Sequence, residues 1–234
     1  MSSTSDGERR LLLVEDDDAL AALLAEYLGQ RGLSVSRVAT GHEGVARILE
    51  EKPDLVVLDL MLPGLDGLDV CRRVRAEYEG AILMLTASQS EADHVAALEI
   101  GADDFVTKPI EPRVLLARIR TQLRRLEPAP REEARTVEVG PLHIDTAARE
   151  VRVDGREVSL TSMEYDVLLM LARGAGTVVQ REDLYAQVMG TSYDGLDRGM
   201  DVHVSRVRKK LQRSGFDTAQ LRSVRGVGYL LVPR

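Results

Sequence analysis

Five side chains in the first half of this 234-residue chain have the types needed to handle a phosphoryl group, and each follows a short apolar run. Leu11 to Val14 leads into Glu15 and Asp16, Leu55 to Leu58 into Asp59, Ile82 to Leu85 into Thr86, and Phe105 and Val106 into Thr107 and Lys108. Three carboxylates held close together raise one another's proton affinity, so the group requires positive charge. A hard divalent cation that prefers oxygen ligands and keeps some of its waters, Mg2+, answers that requirement together with Lys108. A carboxylate held in this way can attack phosphorus and form an acyl phosphate. Asp59 is the candidate acceptor because it alone ends the central run. Lys108 and the metal would neutralise the phosphoryl oxygens while Thr86 donates a hydrogen bond to them.

These side chains share a site only if the runs are neighbouring strands. Apolar runs of four residues or fewer, separated by amphipathic segments, read as buried parallel strands alternating with helices. In an open sheet of that kind, ligands gather at the carboxyl ends of the strands. Helices are expected near Asp18 to Arg31, Gly41 to Glu51, Gly67 to Glu77, Glu91 to Ile100 and Pro112 to Leu126, with Asp17 and Asp18 capping the first. Five strand and helix pairs therefore occupy residues 1 to 126. Glu127 to Arg135, EPAPREEAR, is charged, carries two prolines and reads as a mobile linker.

From residue 136 to 234 the pattern changes to short strands at Val137 to Val139, Leu142 to Asp145, Glu150 to Val153 and Arg156 to Val158, with Asp154 and Gly155 as a hairpin turn. Thr161 and Glu164 have capping-box spacing, Leu160 and Tyr165 fit the accompanying hydrophobic staple, and Gly174 ends that helix. Further helices are expected from about Arg181 to Val188 and Asp197 to Arg213, then a hairpin around Arg225 to Gly228.

Charge separates the halves. Residues 1 to 126 hold 15 Lys and Arg against 22 Asp and Glu, whereas residues 198 to 234 hold nine against two. An acidic rim suits a metal and a basic end suits a polyanion. The polar start MSSTSDGERR and the absence of any long apolar run point away from the membrane and towards the cytoplasm. A single cysteine, Cys71, excludes an internal disulfide and falls on the apolar face of a helix, as a core thiol would. On the basic helix, Met200, Val204, Val207 and Leu211 form one stripe, with Arg198, Ser205, Arg206, Lys209 and Arg213 opposite. With a helix pair before it and an arginine-tipped hairpin after it, this suits a helix in the major groove and Arg225 near the minor groove.

The motifs LLVEDD, LVVLDLMLPGLDG, MLTA and GADDFVTKP resemble those of bacterial response-regulator receiver domains. LTSMEYDVLLML, RGMDVHVSRVRKKL and SVRGVGYL resemble the winged-helix effector domain of the OmpR/PhoB family. The resemblance implies a flavodoxin-like α/β sheet of order 2-1-3-4-5 followed by a winged helix-turn-helix domain. It implies a non-enzymatic transcriptional regulator that accepts a phosphoryl group on Asp59 from a sensor histidine kinase. Mg2+ would be held by Asp16, Asp59 and the Met61 carbonyl, with Glu15 acting through water. Thr86 and its neighbour Ala87 would meet the phosphoryl group, and Phe105 would turn inward as Thr86 moves. Phe105 departs from the usual tyrosine, so a hydroxyl contact is lost while ring packing is kept.

The resemblance further implies a phosphorylation-dependent homodimer through helix 4, strand 5 and helix 5, in which Glu99, Asp103 and Asp104 pair with Arg118, Arg120 and Arg125 of a second copy. His94 and Val114 replace one customary cross-pair there. On double-stranded DNA, Ser205 and Arg206 would face bases, Arg198, Arg208 and Lys209 phosphates, and Arg225 the minor groove, while Met189 to Leu196 is where relatives touch RNA polymerase. Two other readings are a Mg2+-dependent phosphatase, which would want a second acid where Met61 stands, and a regulator independent of phosphate, which would show a broken pocket.

Overall fold

The computed structural model describes residues 9–88, 90–124, 136–190, 199–217 and 220–233. The chain divides into two units, Met1–Leu123 and Arg124–Arg234. The expected linker from 127 to 135 lies outside the described residues.

In the first unit β1 (Arg9–Val14), β2 (Leu33–Val38), β3 (Leu55–Asp59), β4 (Ala81–Thr86) and β5 (Asp104–Thr107) alternate with α1 (Asp18–Gly29), α2 (Gly41–Glu51), α3 (Gly67–Val74), α4 (Glu91–Ile100) and α5 (Pro112–Arg124). The sheet is parallel in the order β2-β1-β3-β4-β5. Leu55, Val56, Val57 and Leu58 are wholly buried, as a central strand covered on both faces requires. Asp17 caps α1, its carboxylate accepting from the amides of Ala19 (2.9 Å) and Leu20 (3.0 Å). Helix α3 stops at Val74, earlier than its apolar pattern suggests. The Arg75 side chain instead donates to the carbonyls of Tyr78 (2.9 Å) and Gly80 (2.8 Å), drawing the chain into the turn before β4.

The second unit opens with an antiparallel sheet of β6 (Thr136–Val139), β7 (Leu142–Asp145), β8 (Glu150–Val153) and β9 (Arg156–Glu157). Asp154 and Gly155 both have positive φ, 47° and 77°, the conformation of a two-residue hairpin turn. Then come α6 (Ser162–Arg173), β10 (Val178–Gln180), α7 (Arg181–Leu184) continued by a π-helical turn Tyr185–Met189, α8 (Gly199–Arg213), β11 (Leu221–Val224) and β12 (Gly228–Leu231). The capping box of α6 is present in both directions. Gly174 does end α6, but with φ −88°, and its role is close approach: a Cβ there would meet Val179 Cγ2 at 2.7 Å. Strand β10 was not expected from the sequence. Three residues carry no periodicity, and they become a strand only by pairing with β12 in a sheet of order β10-β12-β11.

Gly67 fixes how closely α3 follows the end of β3, since a Cβ there would sit 2.2 Å from the Asp59 carbonyl oxygen. Gly67→Ala should therefore cost about 2 kcal/mol through forced displacement. Gly29→Ala, with nothing within 4 Å, should gain about 0.5 kcal/mol. Urea unfolding of the two variants checks this, and equal midpoints would refute the packing argument.

Candidate functional sites

The carboxyl ends of β1, β3, β4 and β5 bring the acidic residues, Thr86 and Lys108 to one rim. Glu15 directly follows β1, where its amide donates to the Val38 carbonyl (3.1 Å) and extends the pairing with β2. Asp59 ends β3 and is 2% exposed. One of its oxygens, Oδ1, accepts from the Met61 amide at 3.1 Å, and the other, Oδ2, from Lys108 Nζ at 2.7 Å. The same ammonium reaches both oxygens of buried Glu15, at 3.0 and 3.2 Å. Lys108 is brought there by its own amide, which donates to the Thr86 carbonyl at 2.7 Å, and the Lys108–Pro109 peptide is cis.

Glu15, Asp16 and Asp59 each offer a carboxylate oxygen, and these oxygens lie within 4.8 Å of one another. Burial raises the Glu15 carboxyl above its ordinary range; the Lys108 hydrogen bond opposes this and the charge of Asp59 adds to it. Burial by itself would lower the Lys108 ammonium, but its hydrogen bonds to Asp59 and Glu15 outweigh that and raise it. One ammonium thus leaves an excess of negative charge among all-oxygen donors, which fits a hard divalent cation. This is the acidic cluster of a receiver-type metal site.

Thr86 is 4% exposed, its Oγ1 accepting from the Ser88 amide at 3.0 Å, while Ala87 is exposed. Phe105 is half-buried, stacked on the His94 ring with centroids 3.9 Å apart.

The residues expected to face a second copy divide. Glu99 and Arg120 are exposed, and Arg125 lies outside the described residues. Asp103 is turned inward, 1% exposed, its Oδ2 accepting from the Ile82 amide (2.9 Å) and Arg75 Nη2 (2.8 Å). The amide at the start of β4 needs an acceptor and Asp103 supplies it, which corrects the expectation that this carboxylate points outward. Asp104 is also buried and takes two hydrogen bonds from Arg118 of the same chain, at 2.8 and 3.0 Å.

In the second unit the basic helix differs from its expected two-stripe reading. Arg206 Nη2 lies 2.8 Å from Glu164 Oε1, with only 12% of its side chain exposed, so it packs between α6 and α8 instead of standing out opposite the apolar stripe. Gly199, Val202 and His203 are buried as well, and Arg206 and Lys210 on the same side of α8 meet Glu164 of α6. Glu164 is wholly buried and takes Lys210 Nζ at 2.7 Å as well as Arg206. A desolvated carboxylate demands this countercharge.

Lys209 and Arg213 are exposed, Ser205 is partly so, and Arg225 is exposed on the turn between β11 and β12. Arg208 braces that hairpin, donating to the Leu221 carbonyl at 2.9 and 3.1 Å. Arg198 lies outside the described residues. Sequence reading also missed a network joining three elements: Arg181 donates to the Tyr229 hydroxyl and to Asp201 (both 2.7 Å), and the Tyr229 hydroxyl donates to Asp201 (2.5 Å). Burial and the Asp201 contact raise the Tyr229 hydroxyl, keeping it protonated. Residues so far apart in the chain give no local signal.

Residues 11–120 match the model of the response regulator receiver domain, and residues 155–231 that of the transcriptional regulatory protein C-terminal domain. The chain is 39% identical to the transcriptional regulatory protein RstA of Escherichia coli, across 95% of this chain and 97% of that protein. It is 43% identical to the transcriptional regulatory protein AfsQ1 of Streptomyces coelicolor (95% and 98%) and 41% to the DNA-binding response regulator MtrA of Mycolicibacterium smegmatis (96% and 97%). Among solved structures it is similar to a single-site mutant of RitR, with a TM-score of 0.72 at 25% identity over 95% of this chain and 98% of that one. It is also similar to DrrB of Thermotoga maritima, an OmpR/PhoB homolog, with a TM-score of 0.51 at 30% identity over 97% and 100%.

Glu164→Gln would leave Arg206 and Lys210 without their buried anion, at an expected cost of about 3 kcal/mol. Glu138→Gln, which removes an exposed partner of His143, should cost less than about 1 kcal/mol. Urea titration of both variants would count against the paired role of Glu164 if the losses were alike.

Proposed function

The chain belongs to the OmpR/PhoB family of two-component response regulators, and on that premise we propose that Asp59 is the phosphoacceptor whose modification controls DNA binding. As a DNA-binding response regulator it works with a histidine kinase and with DNA, and its family consists of regulators rather than enzymes. In the proposed transfer, a carboxylate oxygen of Asp59 attacks phosphorus, the bond from phosphorus to the kinase imidazole nitrogen breaks, and the electron pair leaves with the imidazole. The observation that best supports this is the single ammonium of Lys108 joined to both Asp59 and Glu15, with Asp16 in reach.

Mg2+ would be held by Glu15, Asp16, Asp59 and the Met61 carbonyl, and when bound it supplies charge neutralisation at the phosphoryl oxygens. Lys108 orients the Asp59 carboxylate and adds its own charge. Thr86 and Ala87 border the phosphoryl position, and Thr86 donates its hydroxyl hydrogen there, with Phe105 following it. In this reading the modified receivers then pair through α4, β5 and α5. Of the charged residues expected on that face, Glu99 and Arg120 are exposed, Arg118 contributes from its bond to Asp104, and Asp103 acts from within as a support.

Pairing brings two effector domains to direct repeats about 10 to 11 base pairs apart, and the linked modules see a high effective concentration. Lys209 and Arg213 would meet phosphates, Ser205 a base edge and Arg225 the minor groove, with Arg208 holding the hairpin in place. Contact with RNA polymerase falls to the stretch from Met189 to Leu196, of which residues 191–196 lie outside the described residues. Among the described residues no helix is long and apolar enough to cross a membrane, which is compatible with work in the cytoplasm.

Mobility-shift titration on genomic fragments, with and without phosphoramidate and Mg2+, tests the scheme. Asp59→Ala should bind like the unmodified protein and show no phosphodonor-dependent gain; a retained gain would contradict the assignment. In the same assay Lys209→Ala and Arg213→Ala should each lower the slope of log affinity against log salt by about 0.9. An unchanged slope would remove that residue from the phosphate contacts.

A further inference from the structure

Three contacts connect Thr86 to the aromatic of β5 through a residue outside the phosphoryl site. The Ser88 amide donates to Thr86 Oγ1 at 3.0 Å, so the threonine hydroxyl and the next part of the loop are tied together. The Ser88 carbonyl lies 2.9 Å from His94 Nε2. A carbonyl only accepts, so Nε2 carries the hydrogen, and this holds for the neutral Nε2–H tautomer and for the imidazolium alike. The other side of the link is the His94 ring face, stacked on Phe105 at 3.9 Å between centroids and 23° between planes.

The loop is also fastened to the start of α4. Ser88 Oγ donates to Asp93 Oδ2 at 2.5 Å and accepts from the Ser90 amide at 3.1 Å, while Ser90, the N-cap residue, makes no side-chain cap bond of its own. Loop and helix start therefore form one piece, and His94 is where that piece grips β5. Phe105 carries no hydroxyl with which to bond the loop directly.

We infer that His94 is the positioning residue that couples Thr86 to Phe105, its Nε2–H holding the Ser88 carbonyl and its ring face holding the phenyl ring. A displacement of Thr86 pulls Ser88, Ser88 pulls the imidazole, and the stacked ring of Phe105 moves with it. The inference rests on the reading of Asp59 as phosphoacceptor and adds to it the part that carries the signal to the α4–β5 face.

The chain has two phenylalanines, Phe105 in the receiver and the buried Phe216 in the effector domain, so full-length protein labelled with 4-fluorophenylalanine gives one reporter and one internal reference. Samples treated with phosphoramidate and Mg2+ are read by fluorine NMR, and intact mass on the same samples gives the phosphoryl occupancy. In the unsubstituted chain the Phe105 resonance should shift on phosphorylation while Phe216 stays in place. At equal occupancy His94→Ala, which removes donor and ring, and His94→Phe, which keeps a ring and removes the donor, should each lose more than about half of that shift.

Retention of the full shift in both variants overturns the inference. Loss in His94→Ala with retention in His94→Phe overturns the Ser88 link. A fully phosphorylated parent whose Phe105 resonance stays still, or a moved Phe216 resonance in the variants, also counts against it. Absence of any phosphoryl adduct in the parent chain instead rejects the reading of Asp59, and the coupling falls with it.

Discussion

Two carboxylates buried at the ends of neighbouring strands repel each other and lose their hydration, and one ammonium holds them in place. Lys108 meets Asp59 at 2.7 Å and Glu15 at 3.0 Å, and the rest of the receiver serves to keep that arrangement. The β1–β3 pairing sets the two acids on adjacent strands, while the Lys108 amide bond to the Thr86 carbonyl sets the ammonium between them. Because one positive charge leaves the site short, the same geometry that makes it stable also makes it receptive to a cation.

The effector domain solves a similar problem for another purpose. Buried Glu164 closes the capping box of α6 and draws Arg206 and Lys210 of α8 towards it. The basic helix is thereby oriented, and the cations left outward are Lys209 and Arg213, one helical turn apart. The Arg181, Tyr229 and Asp201 network ties the same helix to β12, so the exposed helix face and the Arg225 turn are held by polar groups that themselves need not touch nucleic acid.

Much of this was legible in the sequence, and the failures have physical reasons. Apolar runs ending on acidic residues indicated the parallel sheet, and α2 and α4 occur with the bounds their patterns suggested. Helix α3 ended early because of a side chain to backbone contact from Arg75, which no periodicity encodes. Strand β10 was hidden because its pairing is non-local. Arg206 and Asp103 sit more deeply than the resemblance implies, because both are partners of buried groups that only the fold brings near.

The proposed function depends most on covalent modification at one carboxylate. Full-length protein exposed to phosphoramidate and Mg2+, reduced with borohydride and mapped by peptide mass spectrometry, reads that directly. One phosphoryl group per chain, lost on reduction with the label placed at Asp59, is the predicted result. No adduct, or an adduct at any other residue, would contradict it.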